Sequence, residues 1–172
     1  MADPSITDAE FRRFQRLIYE IAGISLADSK QVLLVGRLGK RLRALQLKSF
    51  GQYHDLVAHG NDPLERQTMV DLLTTNETYF FREQAHFDYL QNTIVAQHPP
   101  RQPFDVWSAA ASTGEEIYTL AMVLADSLGV KGAWSILGSD ISTQVLATAE
   151  RGHYWLERTR GLPDAYLRKY CL

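Results

Sequence analysis

The chain has 172 residues, of which 45% are hydrophobic and 22% are charged, and this composition is ordinary for one globular domain or two small ones. Its formal net charge of -2 gives no overall attraction to nucleic acid or to an anionic membrane, so we expect neither nucleic-acid binding nor membrane insertion. The single cysteine, Cys171, excludes an intramolecular disulfide, and the N-terminal segment lacks the basic and apolar pattern of a secretory signal, so we expect a cytoplasmic location.

The first part of the chain carries the start signals of four helices. A capping box begins at Thr7, and apolar residues at helical spacing come after it. Ser29 is the predicted N-cap of the second helix, and Ser49 is that of the third. Pro63 suits the first position of the fourth helix, because the N–H that proline lacks needs no partner there. The pattern predicts a small N-terminal all-α domain.

The predicted second helix has leucines on one arc and basic residues on the opposite arc. Leu34, Leu38 and Leu42 fall on the apolar arc. The basic arc is either a docking surface for an acidic partner or only a solvated outer face, which is the default for such helices. Its basic residues are Lys30, Arg37, Lys40, Arg41 and Arg43.

A connecting segment is predicted after the helical domain. It contains a helix over about residues 83–97, with Phe87, Leu90 and Ile94 on one side. Three prolines then remove backbone donors and favour extended geometry, which predicts a linker or a sharp turn.

The spacing of the hydrophobic residues changes after the prolines. Residues 104–109 are typical of a buried strand, and residues 134–138 are typical of a second one. A helix is predicted at 113–128, and Ser142 is expected to cap another that ends near Gly152. The order strand, helix, strand, helix predicts an α/β fold, namely the beginning of a doubly wound, Rossmann-like parallel sheet.

The polar and aromatic segment from Asn76 to Glu83 is hard to explain as structure alone. Phe80 and Phe81 point in different directions on any regular element, so we expect one in the core and the other in the wall of a ligand cleft. Arg82 can pair with a neighbouring glutamate, but an exposed pair contributes little. Near an anionic ligand, the same arginine would have a function.

Small residues end the first predicted strand and lead into acidic ones. The loop 109–114 either lets backbone N–H groups approach a ligand or is an ordinary small-residue loop. Glu115 and Glu116 each gain about 0.3–1 kcal/mol at the positive end of a helix, which explains one of them, while the other can accept hydrogen bonds from a ligand. Asp140 ends the second strand, where such folds place the acid that binds a ribose diol, unless it only caps the turn before Ser142.

Three motifs resemble those of the chemotaxis receptor methyltransferases of the CheR type. They are Asn76-Glu77-Thr78-Tyr79-Phe80-Phe81-Arg82-Glu83, Trp107-Ser108-Ala109-Ala110-Ala111-Ser112-Thr113-Gly114-Glu115-Glu116 and Ser139-Asp140-Ile141. The resemblance covers essentially the whole chain. It implies a small helical domain joined to an S-adenosylmethionine-dependent methyltransferase domain that esterifies glutamates on the cytoplasmic part of chemoreceptors. Ile117 stands where the family usually has proline, and we expect little consequence because proline is optional in a first turn.

The resemblance also implies roles for individual residues. Asn76, Thr78 and Arg82 would line the cofactor pocket beside the reacting end, while Glu116 and Asp140 would bind polar groups of the cofactor. Arg82 would be the catalytic residue that holds the incoming carboxylate or the cofactor near the reacting carbon. The cofactor would be S-adenosylmethionine and its product S-adenosylhomocysteine. The receptor would dock on Arg37, Lys40, Arg41 and Arg43.

The predicted sheet has two strands, whereas sheets average about five to six. Because unpaired strand edges invite pairing, we expect a homodimer or an assembly that exchanges strands.

Two functions stay open: a receptor glutamate O-methyltransferase cut short within its second domain, or a non-catalytic module that binds a receptor or signalling partner with at most residual cofactor binding. No metal is expected, because the histidines lack i, i+4 spacing. The predicted domains are 1–75 (helical), 76–103 (connecting motif, helix and linker) and 104–172 (partial methyltransferase domain).

Overall fold

The computed structural model of the protein describes residues 5–100 and 102–171. The chain divides into residues 1–75, called the helical unit, and residues 76–172, called the sheet unit. The segment 76–103 lies within the sheet unit. Across the described part of the chain, every helix is too short or too polar to cross a bilayer.

Four α-helices make up the helical unit, and most begin at the predicted signals. Thr7 Oγ1 accepts a hydrogen bond from the N–H of Glu10 at 3.2 Å, and the Glu10 carboxylate accepts one from the N–H of Thr7 at 2.9 Å, which completes the capping box. Ser49 Oγ accepts from the N–H of Gln52 at 3.2 Å, and Pro63 is the first residue of its helix. The helices are α1 (Asp8–Ala22), α2 (Gln31–Ala44), α3 (Phe50–His59) and α4 (Pro63–Leu73).

The N-cap predicted at Ser29 is wrong. Asp28–Lys30 forms a short 3-10 turn, and α2 begins only at Gln31, without a side-chain cap. Gln15 of α1 donates a hydrogen bond to the Asp28 carboxylate at 2.9 Å. The turn therefore has a tertiary partner that local sequence does not reveal.

The apolar faces of the four helices enclose one buried core. Phe14, Leu38, Tyr53 and Met69, one from each helix, are all 0% exposed. Helix α1 packs against α3, and α2 packs against α4. This arrangement is the expected outcome of apolar residues at helical spacing on every segment.

A buried carboxylate joins three of these helices. Glu65 of α4 is 4% exposed and accepts hydrogen bonds from Arg41 of α2, with Nε to Oε1 at 2.8 Å and a second bond from Nη2. The Tyr53 hydroxyl of α3 donates to the same carboxylate at 2.8 Å. Since a buried charge is tolerated only when it is paired and hydrogen-bonded, all three side chains depend on one another.

The sheet unit contains two parallel strands joined by a helix. Strand β1 (Phe104–Ser108) pairs with β2 (Trp134–Gly138), and Val106 lies opposite Ile136. Its helices are α5 (Gln84–Tyr89), α6 (Glu115–Leu128), α7 (Thr143–Arg151) and α8 (Asp164–Tyr170). The predicted fold class is confirmed: an all-α unit is followed by the beginning of a Rossmann-like α/β fold.

The two faces of the sheet have different surroundings. Val106 and Ile136 pack on the buried core around Phe81 and Leu120. On the opposite face, Trp107 and Leu137 are 67% and 65% exposed. Because the described sheet has two strands, each of them is an edge strand.

The helix predicted over residues 83–97 is not α-helical throughout, so its side chains do not keep the spacing of an α-helix. After α5, the chain forms a π-helical segment, Leu90–Val95, in which each turn holds an additional residue. The prediction that Ile94 shares one side of the helix with Phe87 is wrong, because Ile94 is 42% exposed, whereas Phe87 and Val95 are 6% and 7% exposed.

Candidate functional site

Backbone strain marks both of the longer motifs. Phe81 and Glu83 of the first have φ values of 57° and 58°, and Ser112 of the second has φ of 48°. Among the described non-glycine residues, Gln46 of the helical unit is the other with positive φ. A left-handed conformation costs a non-glycine residue about 1–3 kcal/mol and persists only where its surroundings enforce it. Both motifs are therefore held in shapes that their own sequences do not favour.

The loop after β1 is fastened to the end of β2. The N–H of Ala111 donates to the carbonyl oxygen of Ser139 at 2.9 Å, and the N–H of Ser112 donates to Oδ2 of Asp140 at 2.8 Å. The other carboxylate oxygen of Asp140 accepts from the N–H of Ser142 at 2.9 Å. Asp140 thus bridges the two strand tips and also makes the turn contact foreseen as its alternative role. Its contact with a ribose stays a prediction.

One cavity of about 470 Å³ lies beside β1 and brings two predicted site residues together. Arg82 reaches it from the first motif, and Glu116 reaches it from the start of α6. Its apolar wall includes Phe87, Val106 and Leu120. This volume and this mixture of an apolar wall with a few charged groups are typical of small-molecule sites, which measure about 300–1,000 Å³.

The adjacent glutamates at the start of α6 have different environments. Glu116 is exposed, and its Oε1 accepts from the Ser108 hydroxyl at 2.7 Å, which fixes the carboxylate at the end of β1. Glu115 is 0% exposed, is ion-paired with Arg158 and accepts from the Thr113 hydroxyl at 2.5 Å. Glu116 is therefore the glutamate that a ligand can reach, and Glu115 stabilises the loop.

Arg82 is exposed, and one of its nitrogens is already engaged. Its Nη1 donates to the carbonyl oxygen of Glu77 at 2.6 Å, which holds the guanidinium beside its own motif. A guanidinium carries five N–H donors, so most of them stay available to an anion. Asn76, Thr78 and Asp140 lie outside the lining of the cavity, and their contact with a cofactor stays a prediction.

The two phenylalanines of the first motif are both buried. Phe80 is 3% and Phe81 is 7% exposed, and neither lines the cavity, so the expectation that one of them forms its wall is wrong. The left-handed backbone at Phe81 breaks the alternation that a regular element would impose. The N–H of Phe81 donates to the hydroxyl of Thr119 at 3.2 Å, which ties the motif to α6.

Arg37 and Arg41 are among the predicted docking residues that have partners within the helical unit. Arg37 Nη1 donates to the carbonyl oxygens of Leu73 at 3.0 Å and Thr74 at 2.9 Å, at the C-terminal end of α4. Arg41 is committed to Glu65. The basic arc is therefore not uniform, and its role in docking stays a prediction. Its exposed members are Lys30, Lys40 and Arg43.

Ser108, Tyr154 and Arg158 have no role that the sequence predicts, but the structure connects all three to the motifs. Ser108 orients Glu116, Arg158 pairs with Glu115, and the Tyr154 hydroxyl donates to the carbonyl oxygen of Thr113. Burial raises the pKa of the Tyr154 hydroxyl well above its usual range, and the nearby Glu115 carboxylate adds to this effect. The local sequence offers one signal for Tyr154, an aromatic residue shortly after the glycine that ends α7.

Comparison with known proteins assigns both units. Residues 9–74 match the family described as CheR methyltransferase, all-alpha domain, and residues 76–172 match the CheR methyltransferase, SAM binding domain. S-adenosylmethionine is the cofactor named for the second of these domains.

Three curated relatives are similar over nearly all of the chain. Chemotaxis protein methyltransferases of Salmonella typhimurium and Escherichia coli are 45% and 46% identical over 98% of this chain and 58% of their own length. Chemotaxis protein methyltransferase 2 of Pseudomonas aeruginosa is 41% identical over 96% of this chain and 59% of its own length. The chain thus spans somewhat more than half the length of these relatives. It belongs to the CheR methyltransferase family.

Proposed function

We propose that this protein is an S-adenosylmethionine-dependent O-methyltransferase that forms glutamate methyl esters on the cytoplasmic regions of chemoreceptors. The observation that carries the proposal is the cavity shared by Arg82 and Glu116, which lies within the part of the chain that matches the SAM binding domain. The relatives named chemotaxis protein methyltransferase support methyl transfer in chemotaxis. The glutamate substrate and the cytoplasmic location go beyond those names.

The residues of the cavity fit the chemistry of S-adenosylmethionine. The Glu116 carboxylate can accept hydrogen bonds from hydroxyl or amino groups, and Arg82 can donate to a carboxylate. The Ser108 hydroxyl occupies one side of Glu116 and leaves its second oxygen for a ligand. Phe87 and Leu120 offer apolar surface to the less polar parts of a bound molecule.

The proposed reaction needs little acid or base chemistry from the protein. The cofactor, when bound, supplies a methyl group activated by its sulfonium. A glutamate side chain, with an ordinary pKa of about 4.3, is already ionised near pH 7, so no residue must prepare the nucleophile. Arg82 is proposed to bind the cofactor in the cavity and so to place its reacting carbon in front of the incoming carboxylate, while the apolar wall keeps water away. Such positioning can contribute about 7–11 kcal/mol to lowering a barrier.

We place receptor docking on the exposed basic residues of α2, Lys40 and Arg43. Arg37 and Arg41 belong to the same basic arc, but Arg37 is bound to the end of α4, and a charge reversal at Arg41 would put a second carboxylate against Glu65 and disturb the fold. Lys40→Glu and Arg43→Glu should therefore weaken binding to an acidic receptor fragment, and more so at low salt. Lys131→Glu makes the same change of charge at an exposed position of the sheet unit. Equal binding by all three variants and the parent would remove the docking assignment.

The test of the enzymatic proposal is transfer of a labelled methyl group from S-adenosylmethionine to a receptor fragment. Base-labile label on the receptor, lost when Arg82 is replaced by alanine, supports a glutamate methyltransferase. The runner-up is a non-catalytic module that binds a receptor or signalling partner, which the exposed basic residues of α2 favour. Receptor binding without any transfer of label would select it.

We also propose that copies of this chain associate through the edges of the two-stranded sheet. An edge strand presents unpaired N–H and C=O groups that a second copy can satisfy. Sedimentation should show a species of twice the chain mass whose fraction rises with concentration. A monomer at every concentration would contradict this proposal.

A further inference from the structure

Tyr154, in the segment after α7, touches both of the longer motifs. Its hydroxyl donates a hydrogen bond to the carbonyl oxygen of Thr113 at 2.6 Å, in the loop after β1. Its ring meets the ring of Phe80 edge to face, with 5.1 Å between the centroids. One side chain therefore joins the segment that carries Arg82 to the loop that leads into Glu116.

The backbone beside Tyr154 is shaped to admit it. Gly114 has a φ of 98°, and a Cβ added there would lie 2.7 Å from the Tyr154 hydroxyl oxygen and 2.9 Å from the Cβ of Ala149. Only glycine fits both the conformation and the space. The loop and the tyrosine are thus packed as closely as the atoms allow.

Thr113 is held from its side chain as well as from its carbonyl. Its hydroxyl donates to Glu115 at 2.5 Å and accepts from Arg158 at 3.2 Å. Because a carbonyl oxygen only accepts, the bond from Tyr154 requires a protonated hydroxyl, and burial of that hydroxyl, which raises its pKa, keeps it protonated. The loop is consequently held at Thr113 through both its carbonyl oxygen and its hydroxyl.

We propose that Tyr154 is a positioning residue for the cofactor site: it holds the 76–83 segment and the 109–114 loop in register, so that Arg82 and Glu116 face the same cavity. This inference rests on the proposed binding of S-adenosylmethionine in that cavity. Tyr154 is outside the cavity lining, and it acts through the two segments it joins.

The test uses Tyr154→Phe, which deletes the hydroxyl and retains the ring. Tyr170→Phe is the matched control, because the Tyr170 hydroxyl also donates one hydrogen bond in the same unit, to the Asp126 carboxylate at 2.7 Å, and its ring stacks on Tyr166. Two quantities are measured on the full chain: the dissociation constant for S-adenosylhomocysteine and the hydrogen-exchange rates of the backbone amides of residues 109–114. For Tyr154→Phe, we expect binding weaker by about three- to tenfold, the effect of one lost hydrogen bond, and faster exchange in the loop. Tyr170→Phe should leave both quantities within about twofold of the parent.

The two readouts separate this inference from the proposed function. If the parent chain does not bind S-adenosylhomocysteine, cofactor binding by this chain fails, while loop exchange still tests whether Tyr154 fixes the loop. Unchanged exchange in Tyr154→Phe would overturn the positioning role. Equal losses in Tyr154→Phe and Tyr170→Phe would also overturn it, because they would reflect general destabilisation of the sheet unit.

Discussion

The helical unit and the sheet unit differ in how completely they bury their apolar residues. Phe14 and Leu38 of the helical unit are 0% exposed, whereas Trp107 and Leu137 of the sheet unit lie on an open face. A helix satisfies its backbone hydrogen bonds internally, so four amphipathic segments can enclose a core, while a strand needs neighbours. The site in the sheet unit therefore depends on particular hydrogen bonds between loops, such as those that Asp140 accepts, more than on a closed core.

The largest expected difference between the units is in the loss of stability when a leucine of each is replaced by alanine. Leu38→Ala removes a wholly buried side chain and should lower the free energy of unfolding of the helical unit by about 2–5 kcal/mol, since it leaves a cavity. Leu137→Ala removes an exposed one and should stay within about 0.5 kcal/mol of the parent. Urea unfolding followed by circular dichroism measures both. Losses of similar size would mean that the exposed face of the sheet is covered in solution.

A smaller loss is expected when the buried charge of the helical unit is removed. Glu65→Gln should cost about 2–3 kcal/mol, because Arg41 and Tyr53 lose a charged acceptor, although Arg41 is partly exposed and can be rehydrated. The control Glu20→Gln makes the same change at an exposed position of α1. Thermal unfolding of both variants provides the measurement. A melting temperature unaffected by Glu65→Gln would show that the three-helix network contributes no stability.

The smallest expected effect is a pH dependence in the helical unit. Burial lowers the pKa of His54, and the charge of Arg13 lowers it further. As pH falls through about 6.5, the unfolded chain therefore takes up a proton before the folded chain does, and stability is lost. His54→Gln should lose less stability than the parent between about pH 7 and pH 5.5, whereas the control His153→Gln, an exposed position of the sheet unit, should behave like the parent. Parallel curves for all three proteins would contradict the burial argument.

Local sequence signals predicted most of the helix starts in the helical unit. The starts at Thr7, Ser49 and Pro63 were found because a cap or a first-turn proline acts within three or four residues. The start predicted at Ser29 was wrong, since that segment forms a short turn held by a residue of another helix. Ile94 was misplaced because a π-helical turn changes the phase of every residue after it.

The residues of the candidate site could be predicted from the sequence only where they belong to one of the motifs. Arg82 and Glu116 were identified from motifs, and they line the same cavity. The partners Tyr154 and Arg158 lie 41 and 43 residues from the groups they bind, and such contacts arise from folding rather than from spacing. For the same reason, the basic arc of α2 could not reveal that Arg41 belongs to a buried ion pair.

Calorimetric titration of this chain with S-adenosylhomocysteine tests directly whether Arg82 and Glu116 bind one cofactor molecule together. The parent should bind, and Arg82→Ala and Glu116→Gln should each weaken binding by about ten- to a hundredfold, the effect of losing a hydrogen bond to a charged group. Arg160→Ala, an exposed change of the same kind, should bind as the parent does. Parental affinity in both site variants would contradict the account.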